Sequence, residues 1–571
     1  MNVSRVSRQA SETQWRQVVL LGCSVLFFYL TLIAISAIEA KPSKSPAKDT
    51  VDLYHAYFRK VAPEDPGTVH LLISNNTADT VMVDKIYLNG YEMKDMPNDL
   101  AIWYQAVPCI TRPGEVTDVM VKLRRPTAKP VRLSVGLSNG QEISTVLETV
   151  SPSLKFNFIG YSNEMDRAYI YLENTGTESL KVKNIYCNSE DVTDRCFIPE
   201  PVIAPSSKIF SVFPARVPFV WGQYLAFKIQ TDNGTTASAV SRAYTHFPIA
   251  SFGQDTRTEY GFDRDYFAVP YSQSGMDFSG LRSRSARNAY HLEEDPVCKD
   301  GLAHLLMGST AATVINNNKV CYINDPVHPG LIYACEHHKP YCYYIYGEVA
   351  DILAVDPYEM YFYSNQPLKN AEYVAQAKTA AEPRPLWTIP EAFTHSENPR
   401  HPAPEEERII IYSEIGEGSK GIWYYHYSKS NKSGYNGSPI LEKEIGRINK
   451  ELRQLRDYIV ISEPFPLAKS DDGRIKTYSL LCGHKGIVLL LINKEHESLF
   501  GEKGKQFRYT SLGSFKVRCK VPKWLKVNRV SEINEDKTVD MGYVLLEDEI
   551  VIPVVGLGVT KQILVQTERR M

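Results

Sequence analysis

The segment "RPLWTIPEAF", Arg384 to Phe393, decides how the middle of this 571-residue chain is read. Its apolar, β-prone run "PLWTI" ends in a single carboxylate, Glu391, and a polar loop follows. Helical patterns stand on both sides, "LKNAEYVAQAKTAA" (368–381) before it and "PEEERIIIYSEIGEG" (404–418) after it. A short strand set between helices belongs to a parallel sheet of βα units, and the carboxyl end of such a strand is where these folds gather functional side chains. Glu391 occupies that end.

The same alternation extends in both directions. Strands are expected at "FPIASFG" (247–253), "NAYHLEED" (288–295), "GLIYACE" (330–336), "ADILAVDPY" (350–358) and "SKGIWYYHY" (419–427). A long helix is expected at "PILEKEIGRINKELRQLRDYIV" (439–460), where Ile440, Leu441, Ile445, Ile448, Leu452, Leu455 and Ile459 recur at steps of three and four. Beyond Pro464 the pattern returns to alternating strands, as in "GIVLLLINKE" and "DEIVIPVVGLG", and a terminal β-sandwich over 464–571 is expected.

Upstream, the chain repeats itself. "LLISNNTADTVMVDKIYLNG" (71–90) and "IYLENTGTESLKVKNIYCNS" (170–189) share strand, Asn-Thr turn, strand and Ile-Tyr. "VPCITRPGE" is echoed by "PVIAPSSK", and "LSVGLSNGQEIS" by "LAFKIQTDNGTTAS", each of the latter pair with an Asn-Gly hairpin signal. Two copies of such a unit read as tandem immunoglobulin-like β-sandwiches over 51–150 and 151–246, with a spacing or docking role.

Arg5, Arg8 and Arg16 precede the apolar run Val18 to Ala37, an export signal that is either cleaved or kept as a membrane anchor within residues 1–40. A Pro/Ser-rich linker covers 41–50. The rest of the chain is then secreted or held at the extracytoplasmic face, with a membrane tether through 18–37. Lys and Arg total 64 against 66 Asp and Glu, without a basic run, which argues against a nucleic-acid partner. The 35 tyrosines fit a β-rich protein. Cys187 with Cys196, Cys298 with Cys321, and Cys335 with Cys342 are near enough in sequence to pair, giving at most two disulfides. No Cys/His spacing calls for a metal, and nothing calls for a cofactor.

The order "ADILAVDPY", "PLWTIPEAF", "PxxEExR", "GxKGIxYY" resembles the last βα units of glycoside hydrolases with TIM-barrel folds and two catalytic glutamates, the β-galactosidase type. The resemblance spans 247–571 and is strongest from 330 onward. It implies a (β/α)8-type barrel over 247–463, with "RPLWTIPEAF" as strand seven and Glu391 as the nucleophile. "NAYHLEEDP" becomes strand four, so the acid/base is Glu293, Glu294 or Asp295. Only about 41 residues separate Phe247 from Asn288, too few for three βα units of roughly 30 residues each, and strands two and three are expected to be missing or reduced.

Bottom-up chemistry agrees with the need for a pair: a retaining glycosidase places one attacking and one protonating carboxyl about 5–5.5 Å apart. Two function classes stand side by side. One is a retaining glycoside hydrolase acting on oligo- or polysaccharide; the other is an inactive barrel serving as a carbohydrate-binding or cell-surface interaction protein. Each residue also has a plain structural reading. Glu391 is then a strand-end carboxylate, and Glu293 to Asp295 an acidic helix start before Pro296. Asp356 either lines the rim or fixes its own loop. Tyr358, Trp387, Trp423 and Tyr425 either stack on sugar or pack the core. His337 and His338, adjacent in an extended segment, point to opposite sides and do not form a metal pair.

Overall fold

A computed structural model describes residues 50–95, 100–252, 257–263, 289–294, 320–324, 342–358, 366–394, 400–428, 432–498 and 507–570. The apolar run 18–37, the linker after it, Asp295, His337 and His338 lie outside the described residues. Among the described residues, no helix is long and apolar enough to cross a membrane.

Among the described residues, most of the regular structure is β, arranged in several sandwiches and one parallel sheet. The first pairs a sheet ordered Val51–Arg59, Thr68–Asn75, Val116–Leu123, Ala101–Val107 with a sheet ordered Tyr91–Glu92, Val81–Leu88, Val131–Leu137, Glu142–Leu147. Their inward residues, among them Leu71, Val119, Val121, Leu133 and Val135, form one core. The second repeats this plan. Leu154–Tyr161, Arg167–Asn174 and Ser207–Pro214 face Glu190–Asp191, Leu180–Cys187, Tyr224–Thr231 and Thr236–Arg242. Cys187 and Cys196, a candidate pair from their spacing, are separate free thiols.

A buried asparagine closes each repeat in the same way. Asn75 Nδ2 donates to the carbonyls of Asp79 (2.7 Å) and Thr111 (2.9 Å), and its Oδ1 accepts from the Thr77 amide (3.0 Å). Asn174 bonds Glu178 (2.7 Å), Ile203 (3.0 Å) and the Gly176 amide (2.9 Å). In the terminal sandwich Asn493 bonds the carbonyls of Thr510 and Gly558, both at 2.8 Å, and the Glu495 amide at 2.9 Å. Truncating such a side chain leaves several backbone groups buried without partners. Asn174→Ala is therefore expected to lower the unfolding free energy by about 2–3 kcal/mol in urea titrations.

Between the second and terminal sandwiches lies a six-stranded sheet in which every neighbouring pair is parallel. Its strands are β1 (Ile249–Ser251), β2 (Ala289–Glu294), β3 (Val320–Asn324), β4 (Ile352–Val355), β5 (Leu386–Thr388) and β6 (Ile422–Tyr424), in the order β1-β6-β5-β4-β3-β2. The strand expected at 330–336 lies outside the described residues. The place it was to take, between 288–295 and 350–358, is held by β3, whose register runs Tyr322 to Ile352 and Asn324 to Ala354. "VCYIN" is short and follows an Asn run, so its local β-signal is weaker than that of "GLIYACE"; pairing on both sides decides in its favour.

The three longer helices are α1 (Asn370–Ala381), α2 (Pro404–Gly416) and α3 (Pro439–Ile459). Pro404 opens α2, Glu406 accepts the Ala403 amide at 2.7 Å, and Gly418, at φ 110°, turns the chain away after its end. On α3, Leu441, Ile445, Ile448, Leu452, Leu455 and Ile459 are fully buried, each worth roughly 1.5–3 kcal/mol of gross transfer free energy. Ile440 is 68% exposed, a correction to the expected face: it sits one residue, about 100°, off the stripe.

The terminal sandwich shares a core with α2 and α3. Its strand Gly486–Asn493 is buried along its whole length because helices cover one face and the facing sheet the other, which accounts for the unbroken run "GIVLLLIN". The first two sandwiches dock on this body. Trp103 Nε1 donates to the Ile345 carbonyl at 2.7 Å, and the Tyr171 hydroxyl has the carbonyls of Ile461 (2.6 Å) and Leu481 (2.9 Å) within reach of its one proton.

Candidate active site

Strand alternation sorts the parallel sheet into two faces. Ala250, Ile352, Ala354, Trp387, Ile389 and Trp423 share one core cluster, whereas Leu353, Val355 and Leu386 pack on the helix side with α1. Following the first face beyond the strand ends gives Asp356 and Tyr358 after β4, Glu391 and Phe393 after β5, Tyr425 after β6 and Phe252 after β1. Register aligns these rows. Ala354 is level with Trp387 and Ala250 with Trp423, and an isolated parallel bridge pairs Glu391 with Tyr425. The bridge is made by the Tyr425 amide donating to Pro390 (3.0 Å) and the Ala392 amide donating to Tyr425 (2.7 Å). Glu391 is thereby fixed by backbone on both of its flanks.

Ring contacts draw the same row together. Tyr358 lies 5.3 Å from Phe393 and 5.8 Å from Tyr425, and Phe252 lies 5.7 Å from Tyr425. His426, joined to Tyr425 by a cis peptide bond, stands 6.1 Å from Phe393; burial lowers its pKa, so it is neutral at pH 7. Glu391 (2% exposed) and Asp356 (6%) are buried on the same face. An apolar, half-buried collar around carboxylates can stack on sugar rings and raises the reactivity of charges beneath it by excluding water.

The other expected residues fall as follows. Trp387 and Trp423 are fully buried and stack on each other at 5.7 Å, filling the inner face below the rim. Tyr358 is on the rim itself, also buried. Glu293 and Glu294 end β2, with Glu294 in register with Asn324 of β3, which is in register with Ala354 of β4. Phe252, Phe393 and His426 were not singled out from sequence. Counting every second residue past Ala250 and Glu391 would have reached the first two; His426 breaks that parity and left no such signal.

No family model matches the chain, and no curated protein matches it. Among solved structures, it is similar to a cycloisomaltooligosaccharide glucanotransferase from Paenibacillus sp., at 7% identity over 71% of this chain and 99% of that one, with a TM-score of 0.35. A putative β-galactosidase from Bacteroides fragilis has 11% identity over 80% and 88%, with a TM-score of 0.25. The archaellum periplasmic stator complex FlaF and FlaG from Sulfolobus acidocaldarius has 19% identity over 16% of this chain and 90% of that one, with a TM-score of 0.15. Two of these three are carbohydrate-active enzymes, and all three TM-scores lie below 0.5.

On the helix side of β5, α2 buries three acids: Glu406, which pairs with Arg400 at 2.6 Å, Glu407 and Glu414. Burial pushes Glu414 up to about 8 and Glu407 well above the usual carboxylate range, the latter with added repulsion from Glu414 and Glu406. Asn370 Nδ2 reaches Glu414 Oε1 at 3.4 Å. A carboxyl raised in the folded state binds its proton there and not in the unfolded chain, so stability falls as pH climbs from about 4.5 to about 8. Glu414→Gln is expected to raise the melting temperature at pH 8, by roughly 1–3 kcal/mol in stability, and to leave it nearly unchanged at pH 4.

Proposed function

We propose that this is an exported glycoside hydrolase, secreted or tethered through residues 18–37, acting on oligo- or polysaccharide at the carboxyl rim of its parallel sheet. In this reading the two leading sandwiches are immunoglobulin-like. What supports that is strand order: with strands lettered in sequence, the first sandwich runs A-B-E-D on one sheet and C′-C-F-G on the other.

The parallel sheet is read as a (β/α) barrel in which, among the described residues, two strands are lacking between β1 and β2. One observation carries this. Strands β3 to β6 each neighbour their predecessor, and β6 then pairs with β1, an order that a doubly wound sheet, which reverses about its first strand, does not have. Counted from its end, β5 is strand seven and β2 is strand four.

Glu391 then attacks the anomeric carbon while Glu294, or its neighbour Glu293 or Asp295, protonates the leaving oxygen. The same acid next removes a proton from the water that releases the sugar. Tyr358 and Asp356 contribute to holding the substrate ring, and Trp387 and Trp423 support it from below. The burial of Glu391 beneath its aromatic collar favours a second reading, carbohydrate binding without turnover. A screen of chromogenic glycosides with the purified chain separates them: release of the chromophore supports hydrolysis, and glycan-array binding without release supports the second reading.

A further inference from the structure

A cleft of about 240 Å³ lies where the first two sandwiches meet the parallel-sheet body. Three carboxylates line it, and each is already engaged. Asp118 holds His70 at 3.0 Å; Glu348 holds His70 at 3.2 Å and Arg59 at 3.2 Å; Glu382 holds Lys155 at 3.0 Å and Lys378 at 2.9 Å. Burial lowers the pKa of His70, but its two carboxylate partners outweigh this and bring it to about 9, so the ring is charged at neutral pH.

Two cations are left over. Arg384 lines the cleft, its Nη1 is buried without a hydrogen-bond partner among the described residues, and its Nη2 reaches only the Met120 sulfur at 3.6 Å. Lys60, also on the wall, makes no ion pair among the described residues. The hydroxyl of Ser238, on the same wall, is likewise buried and without a partner among the described residues, the residue being 6% exposed. Buried donors of this kind are costly unless something accepts from them. The cleft wall therefore carries a surplus of positive charge and two unsatisfied donors, in a space below the roughly 300–1,000 Å³ of drug-sized ligand sites.

We propose that this cleft binds a small organic carboxylate, no larger than one sugar ring, held by the guanidinium fork of Arg384 and a hydrogen bond from Ser238. A planar carboxylate matches the fork of an arginine in a way that a point charge does not. The site is separate from the rim of the parallel sheet, and its occupancy does not depend on catalysis there.

Titration calorimetry of the full chain with glucuronate, acetate and inorganic phosphate tests it. Binding of glucuronate is expected, with affinity about tenfold or more lower in Arg384→Met, a smaller loss in Ser238→Ala, and no change in Glu391→Gln. Arg384→Lys keeps the charge without the fork and is expected to bind between the two, which keeps the test decisive should Arg384→Met fail to fold. No carboxylate binding, binding equal in wild type and the Arg384 variants, binding lost in Glu391→Gln, or binding of phosphate alone would each overturn the proposal.

Discussion

Glu391→Gln is expected to reduce glycoside hydrolysis by at least ~10³-fold while leaving the melting temperature within a degree or two of wild type. The amide has the shape of the carboxylate, and the position is held by the backbone bonds that flanking Pro390 and Ala392 make with Tyr425, which do not involve the side chain. Only the nucleophilic oxygen is lost. Asp356→Asn is the companion: its side chain lies one row below Glu391 on the neighbouring strand, so a role in binding predicts a raised KM with kcat largely kept. Equal rates in wild type and Glu391→Gln would remove Glu391 from the chemistry.

The largest loss of stability is expected from Glu348→Ala. This carboxylate is buried between the parallel-sheet body and the first sandwich, where it takes Arg59 (3.2 Å), His70 (3.2 Å) and the Thr68 hydroxyl (2.5 Å). Deleting it takes one of two carboxylates from buried His70, which keeps Asp118, and the ion-pair partner from Arg59, an effect of about 3–5 kcal/mol. The pH dependence has a definite sign. Burial raises Glu348, but Arg59 and His70 hold it well below the usual carboxylate range, so its contribution is present above about pH 4.5 and lost as pH falls through its folded value. His70, raised from 6.5 to about 9, contributes fully below about pH 6.5 and loses its contribution as pH rises through 9. Wild type is thus expected to melt highest, as far as this contact is concerned, between about pH 4.5 and 6.5. In Glu348→Ala both limbs of the profile flatten.

Local pattern made much of this architecture legible, and long-range pairing hid the rest. The stripe on α3 could be read residue by residue because its steps of four and three are set by helix geometry alone; only Ile440, one position off, was assigned to the wrong side. The repeat of "SNNT" and "ENTG" marked the same turn in two sandwiches, since Asn75 and Asn174 each close it with the same three bonds. Asn493 performs that task from "INKE", with neither Thr nor Gly beside it, and left no signal. Strand β3 was passed over because its membership rests on neighbours 30 residues away on either side. The Glu348 cluster was beyond reach for the same reason: Thr68 and Glu348 are 280 residues apart, and no local pattern records their contact. Glu391 was conspicuous because it interrupts an apolar run, but its inward direction became clear only from the shared cluster of Trp387 and Ile389.

The most direct measurement is covalent trapping. The full chain is incubated with a panel of activated 2-deoxy-2-fluoroglycosides, which slow release of a glycosyl-enzyme, and the labelled peptide is sequenced by mass spectrometry. A hydrolase with Glu391 as nucleophile carries one sugar on the Arg384–Phe393 segment, at Glu391, and loses it in Glu391→Gln. Turnover of the parent glycosides with the label on another carboxylate, or with the same label retained in Glu391→Gln, contradicts the account.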